Sequence, residues 1–183
     1  MTAVRDQSVG AYVEAVASTS AVPGGGSAAA LAASMAAALV SMVAKLSARR
    51  LTEGEQRESL NRAVPELEHL ASRLLDLSQE DIDAYRAVIE ARKAKRDGAD
   101  LERAYERAAE VPLATAMAAD RALSLATEVS RNAWEMVASD LSTANRLLQA
   151  GLDGALANVA INLPELKGEA ASRIEQRYRE LLR

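Results

Sequence analysis

At 183 residues, with a formal net charge of −4 and neither cysteine nor phenylalanine, the chain has the length of a single domain and excludes disulfides, thiolate metal sites and cysteine nucleophiles. Its acidic and basic residues are interleaved, which argues against the basic face that a nucleic-acid binder needs. Abundant Ala, Leu, Glu and Arg favour helices over sheets. The expected fold is therefore all-α, an up-and-down bundle of long, partly kinked helices over residues 1–183, in a cytoplasmic protein with no signal peptide.

Val9, Tyr12, Val13 and Val16 recur at helical spacing and predict a short amphipathic helix from about Ser8 to Ala17. After a loop over Ser18–Gly26, the stretch Pro23-Gly24-Gly25-Gly26-Ser27 opens into an alanine-rich helix that runs to about Arg50. Glycines at a helix start leave backbone N–H groups open at the positive end of the dipole, a cradle for a polar or anionic ligand. The same residues also suit a flexible entry loop or the close packing of two helix backbones. Ser27 to Ala44 carries no charge and reaches the length of a membrane span, but Ala and Ser dominate it. With Leu31, Met35, Leu39 and Met42 or Val43 as one apolar stripe, it reads as a buried helix and not as a membrane segment.

Thr52-Glu53-Gly54-Glu55 has the pattern of a capping box and predicts a helix start. From Glu53 to about Arg96 the apolar positions Leu60, Val64, Leu67, Leu70, Leu74, Leu77, Ile82, Tyr85 and Val88 keep a mostly three-or-four spacing, so one very long helix is expected, kinked or interrupted at Pro65. The cationic run Arg92-Lys93-Ala94-Lys95-Arg96 reads as the solvated end of that helix. Asp97-Gly98-Ala99-Asp100 is a turn, with Asp100 as N-cap of a helix to about Ser130 that bends at Pro112. A break near Asn132 precedes a helical region from about Trp134 to Asn162. Pro164 then marks the first turn of a terminal helix ending at Arg183.

His69 is the sole histidine, so serine–histidine triads and multi-histidine metal sites are unsupported. Acid–base chemistry must come from carboxylates, lysines, tyrosines or polarised water. Two aspartates stand out. Asp81 lies four residues before Tyr85, on the same helix face. Asp140 follows Ser139 in the otherwise apolar stretch Met136–Leu141, where it is either a desolvated acid or a helix cap. Asn158 and Asn162, also four apart, either present amides to a heterocycle or cap the helix end.

Taken in order, several motifs carry a resemblance: Pro23-Gly24-Gly25-Gly26-Ser27-Ala28-Ala29-Ala30 with Ala38–Val43, Asp81-x-x-Ala84-Tyr85-x-x-Val88, Ala109-Glu110-Val111-Pro112-Leu113, Ser139-Asp140, and Asn158 to Pro164. Together they resemble the cyclodeaminase/cyclohydrolase family, which includes formiminotetrahydrofolate cyclodeaminases and methenyltetrahydrofolate cyclohydrolases. The resemblance implies an all-helical homodimer that uses a tetrahydrofolate derivative as substrate, with no permanently bound cofactor and no metal. It implies that Gly24, Gly25, Gly26 and Ser27 line the ligand cleft and that Asp81 and Asp140 carry acid–base and pterin-orienting roles. Asn158 and Asn162 would add polar contacts, and Lys45, with Arg49 and Arg50, would meet substrate carboxylates. This chain has Lys45 where the family commonly has asparagine, and Arg92–Arg96 in place of a Tyr-Arg/Lys-Leu-Pro-Lys run. Those departures leave a second reading, a diverged non-catalytic member that binds a small ligand or a partner helix.

Overall fold

The computed structural model describes residues 2–94 and 98–182. The described residues form six α-helices: α1 (Val9–Val16), α2 (Gly25–Ala48), α3 (Glu55–Lys93), α4 (Ala99–Ser130), α5 (Ala138–Asn162) and α6 (Gly168–Leu181). Short 3₁₀ turns at Val4–Asp6, Glu135–Val137 and Leu163–Glu165 join or precede them. Helices α2 to α5 form a four-helix bundle in which α2 packs on α3 and α5, and α4 closes the ring against both. Short connections force each to run antiparallel to the one before, the up-and-down arrangement expected. Lys95, Arg96 and Asp97, which belong to the predicted cationic run and turn, and the terminal Arg183 lie outside the described residues.

Leu60, Leu67 and Leu74 recur every seven residues along α3 and are fully or almost fully buried. They meet Val40 and Val43 of α2, Leu125 and Val129 of α4, and Leu148 of α5 in one core. Pro65 and Pro112 sit inside unbroken helices and interrupt neither.

The central helix α2 corrects the expected facing. By length and composition it is apolar enough to cross a membrane, yet most of it is buried against the other helices of the bundle. Its residues Ala33, Ala37, Val40 and Ala44 are fully buried, whereas of the predicted apolar stripe Met35 and Met42 are exposed, Leu31 and Leu39 half-buried, and the alternative Val43 alone fully buried. The cause is distance of approach. A Cβ added at Gly151 of α5 would stand 2.8 Å from the Ala33 Cβ and 3.0 Å from the Ala29 carbonyl oxygen, so two backbones meet where only small residues fit.

Three predicted helix starts also move. Ser8 does cap α1, its Oγ accepting from the Ala11 amide at 3.1 Å. Helix α3, however, begins at Glu55 after Gly54, whose φ of 148° places it where side chains are disfavoured, and Thr52 is not its cap. Helix α4 begins after Gly98, with Asp100 already in its first turn and paired to Arg103. Pro164 belongs to a separate 3₁₀ turn, and α6 starts at Gly168.

Candidate active site

A cavity of about 350 Å³ opens at the end of the bundle where the start of α2, the second half of α3, the start of α4 and the end of α5 meet. Gly24, Gly25 and Gly26 form one wall, Asp81, Tyr85, Val88 and Arg92 a second, Tyr105 and Ala108 a third, and Asn158 and Asn162 a fourth. Antiparallel neighbours bring two helix N-termini and two C-termini to one end, which is why residues so far apart in sequence converge.

Asp81 is the chemical centre. Helix α2 has no side-chain cap, because its N-cap is Gly24. The Asp81 carboxylate takes that place from α3 and accepts a hydrogen bond from the Ser27 backbone amide in the first turn of α2. Gly26 makes room for it: a Cβ there would lie 2.2 Å from Asp81 Oδ1. The anion held by the glycine-rich helix start is thus a carboxylate of the chain itself. Burial raises the pKa of Asp81 from the ordinary carboxylate range to about 6, and the Ser27 amide pulls the other way. A carboxyl of that acidity both accepts and donates protons near neutrality.

Ser27 contributes its amide more than its hydroxyl. Its side chain is fully buried. Its Oγ lies 2.8 Å from the Tyr12 hydroxyl and 2.8 Å from Ser78 Oγ, while Ser78 Oγ also donates to the Ser27 carbonyl at 2.9 Å. This chain of hydroxyls fixes the peptide that meets Asp81. Asn158 Nδ2 donates to the Gly154 carbonyl at 2.8 Å, and Asn162 Nδ2 to the Ala108 and Asn158 carbonyls at 3.0 and 2.9 Å. Both N–H donors of Asn162 and one of Asn158 are therefore held by backbone, which leaves the amide oxygens for a ligand.

Within one chain, three expected site residues do not line this cavity: Ser27, which is fully buried beside Gly26, and Lys45 and Asp140. Lys45 stands near the far end of α2, about 30 Å along the helix from Gly25, and forms an ion pair with Glu68. Arg50, beyond it, stacks on Trp134 at 4.4 Å from the ring centroid. Asp140 sits in the first turn of α5, about 27 Å along that helix from Asn158, so the two aspartates do not form a pair. Conversely, Arg92, Tyr105 and Glu165 line the cavity and were not expected there. A signal existed: Asp81, Tyr85, Val88 and Arg92 follow one another by four, three and four, which places all of them on one face of α3.

Residues 8–180 match the formiminotransferase-cyclodeaminase family. The chain belongs to it. Among relatives in the formiminotransferase-cyclodeaminase family, the methenyltetrahydrofolate cyclohydrolase of Methylorubrum extorquens is 31% identical over 96% of this chain and 88% of its own length. The formimidoyltransferase-cyclodeaminase of Sus scrofa is 32% identical over 93% of this chain, which spans only 33% of that longer protein. Among solved structures, the formiminotetrahydrofolate cyclodeaminase of Thermotoga maritima matches with a TM-score of 0.89 at 26% identity, covering 98% of this chain and 90% of that one. These family members extend the likeness from the quoted motifs to nearly the whole bundle.

Proposed function

We propose that the chain is a folate one-carbon enzyme acting at the carbon between N5 and N10 of a tetrahydrofolate derivative, with Asp81 as its acid–base group. The observation that carries this reading is the buried carboxyl of Asp81 held against Gly26 at the end of the cavity. The family relatives named as cyclohydrolase and cyclodeaminase support it.

In the cyclohydrolase direction, water adds to the methenyl carbon and gives up a proton to the Asp81 carboxylate. The resulting tetrahedral carbon breaks its bond to N5, which takes that proton, and the hydroxyl proton leaves to solvent as N10-formyltetrahydrofolate forms. In the cyclodeaminase direction, N10 adds to the protonated formimino carbon on N5. Asp81 carries the N10 proton to the terminal nitrogen, and ammonia departs to leave the methenyl bridge. One carboxyl that titrates near neutrality serves both sequences, because each needs a single proton moved between two atoms on one carbon. The oxygens of Asn158 and Asn162 are placed to accept from donor groups of the pterin ring.

A homodimer in the cytoplasm belongs to the same proposal. Val9, Val13 and Met35 are 81%, 59% and 53% exposed and rim an apolar groove formed with Tyr12 and Leu31, an area that a second copy would cover. Purified protein is expected to accelerate the loss of methenyltetrahydrofolate absorbance, or to release ammonia from formiminotetrahydrofolate, and Asp81→Asn to lower that rate roughly a hundredfold. Neither activity above the spontaneous rate would overturn the enzyme reading.

A further inference from the structure

Among the described residues that line the cavity, Arg92 is the cation and Asp81 and Glu165 are the acids. It lies on the same face of α3 as Asp81, about 16 Å further along the helix axis. Side chains of a helix slant toward its N-terminus, the direction in which Asp81 lies from Arg92. Between the two stand Ala84, Val88 and Ile89, an apolar wall with Tyr85 beside it. Read from the inner end outward, the cavity offers a proton-transfer group, then an apolar slot, then a guanidinium.

The guanidinium is held in place. Its Nε–H donates to the Tyr105 hydroxyl at 2.8 Å, and Nη2 donates to the same oxygen. The cation also lies 5.3 Å from the Tyr105 ring centroid. Tyr105 is itself buried, so α4 clamps a side chain that α3 supplies. Glu165, the carboxylate that pairs with it, is 3.9 Å away, beyond hydrogen-bonding range. The guanidinium has five N–H donors in a planar fork, and Tyr105 engages one face of it.

We propose that Arg92 is a specificity residue that binds the glutamyl carboxylate of the folate tail, which displaces the loose pairing with Glu165. The proposal rests on the folate reading above. In such a substrate the reacting carbon, an aromatic ring and a carboxylate follow one another in the order in which Asp81, the apolar wall and Arg92 follow along α3. The task that the family resemblance gave to Lys45 thereby falls to a residue at the cavity itself.

The test compares equilibrium binding of tetrahydrofolate and of tetrahydropteroate, which lacks the glutamyl group, to the full chain and to Arg92→Ala, alongside turnover of the methenyl form of each. The wild-type protein is expected to bind the glutamyl ligand about 10- to 100-fold more tightly, the scale of a charge-assisted hydrogen-bonded pair. That ratio collapses toward one in Arg92→Ala. It is partly kept in Arg92→Lys, which retains the charge without the fork. A ratio near one in the wild-type protein, or a variant that weakens both ligands in parallel, overturns the proposal. Tail-dependent binding that rests on Arg92 without turnover of either ligand sustains it and overturns the enzyme reading alone. Failure to bind either ligand overturns both.

Discussion

Gly26 and Asp81 occupy a volume that admits a carboxylate or a Cβ, but not both: the added carbon would stand 2.2 Å from Oδ1 and 2.7 Å from Cγ. Asp81 has a short side chain on a packed helix, so it cannot swing far. Gly26→Ala is therefore expected to expel the carboxylate from the amide of Ser27 and to lower turnover roughly a hundredfold, with the helical circular dichroism kept. Full activity in this variant would contradict the assignment of Asp81.

The same burial has a sign in stability. Asp81 titrates near 6 in the folded chain against an ordinary 3.8. The folded state thus holds the proton more tightly, and stability falls as pH rises through the window from about 4 to 6. Asp81→Asn removes that penalty while keeping an acceptor for Ser27. It should stabilise the protein on the order of 1–3 kcal/mol at pH 7 and by little at pH 4. Denaturant melts at the two pH values check this, and equal effects at both would refute it. In the active protein, the rate should lose its base-dependent limb below about pH 6.

Helix–helix distance makes a separate prediction. Gly151→Ala forces a carbon to within 2.8 Å of Ala33 Cβ and 3.0 Å of the Ala29 carbonyl oxygen, so it should destabilise by about 1–3 kcal/mol. Gly10→Ala, which meets nothing within 4 Å, should not destabilise. A thermal melt that ranks the two the other way would show that α2 and α5 have slack.

The exposed apolar groove predicts association. Met35→Glu and Val13→Glu place charge among Tyr12, Leu31 and Leu75 at its rim. Sedimentation should show a dimer for the parent chain and a shift toward monomer in either variant. A parent chain that sediments as a monomer at micromolar concentration removes the dimer from the proposal.

How much of this was legible in the sequence depends on the kind of information each residue carries. The glycine-rich start of α2 and Asp81 could be found because backbone exposure and the i, i+4 partner Tyr85 are local properties. The facing of α2 could not, because hydrophobicity ranks Met35 above Ala33 whereas the neighbouring Gly151 demands small size. Thr52 matches a capping pattern, yet Gly54 ends the connection two residues later. Lys45 and Asp140 were placed with the site because motifs give order along a chain but not the distance that a helix puts between its ends. Arg92 is exposed, as its cationic run suggests; what the run does not show is its clamp, Tyr105, which lies across the following turn on another helix.

Tyr12 reaches from α1 to Ser27, and Ser27 to Ser78, behind the peptide that meets Asp81. The leading segment is further anchored by the Val4 amide on Gln79 Oε1 at 3.0 Å and by Arg5 on Asp76 at 2.8 Å. Val4, Tyr12 and Val22 of this segment also pack on Ile82, the neighbour of Asp81, so the peptide that donates to a carboxylate on one helix is seated by another.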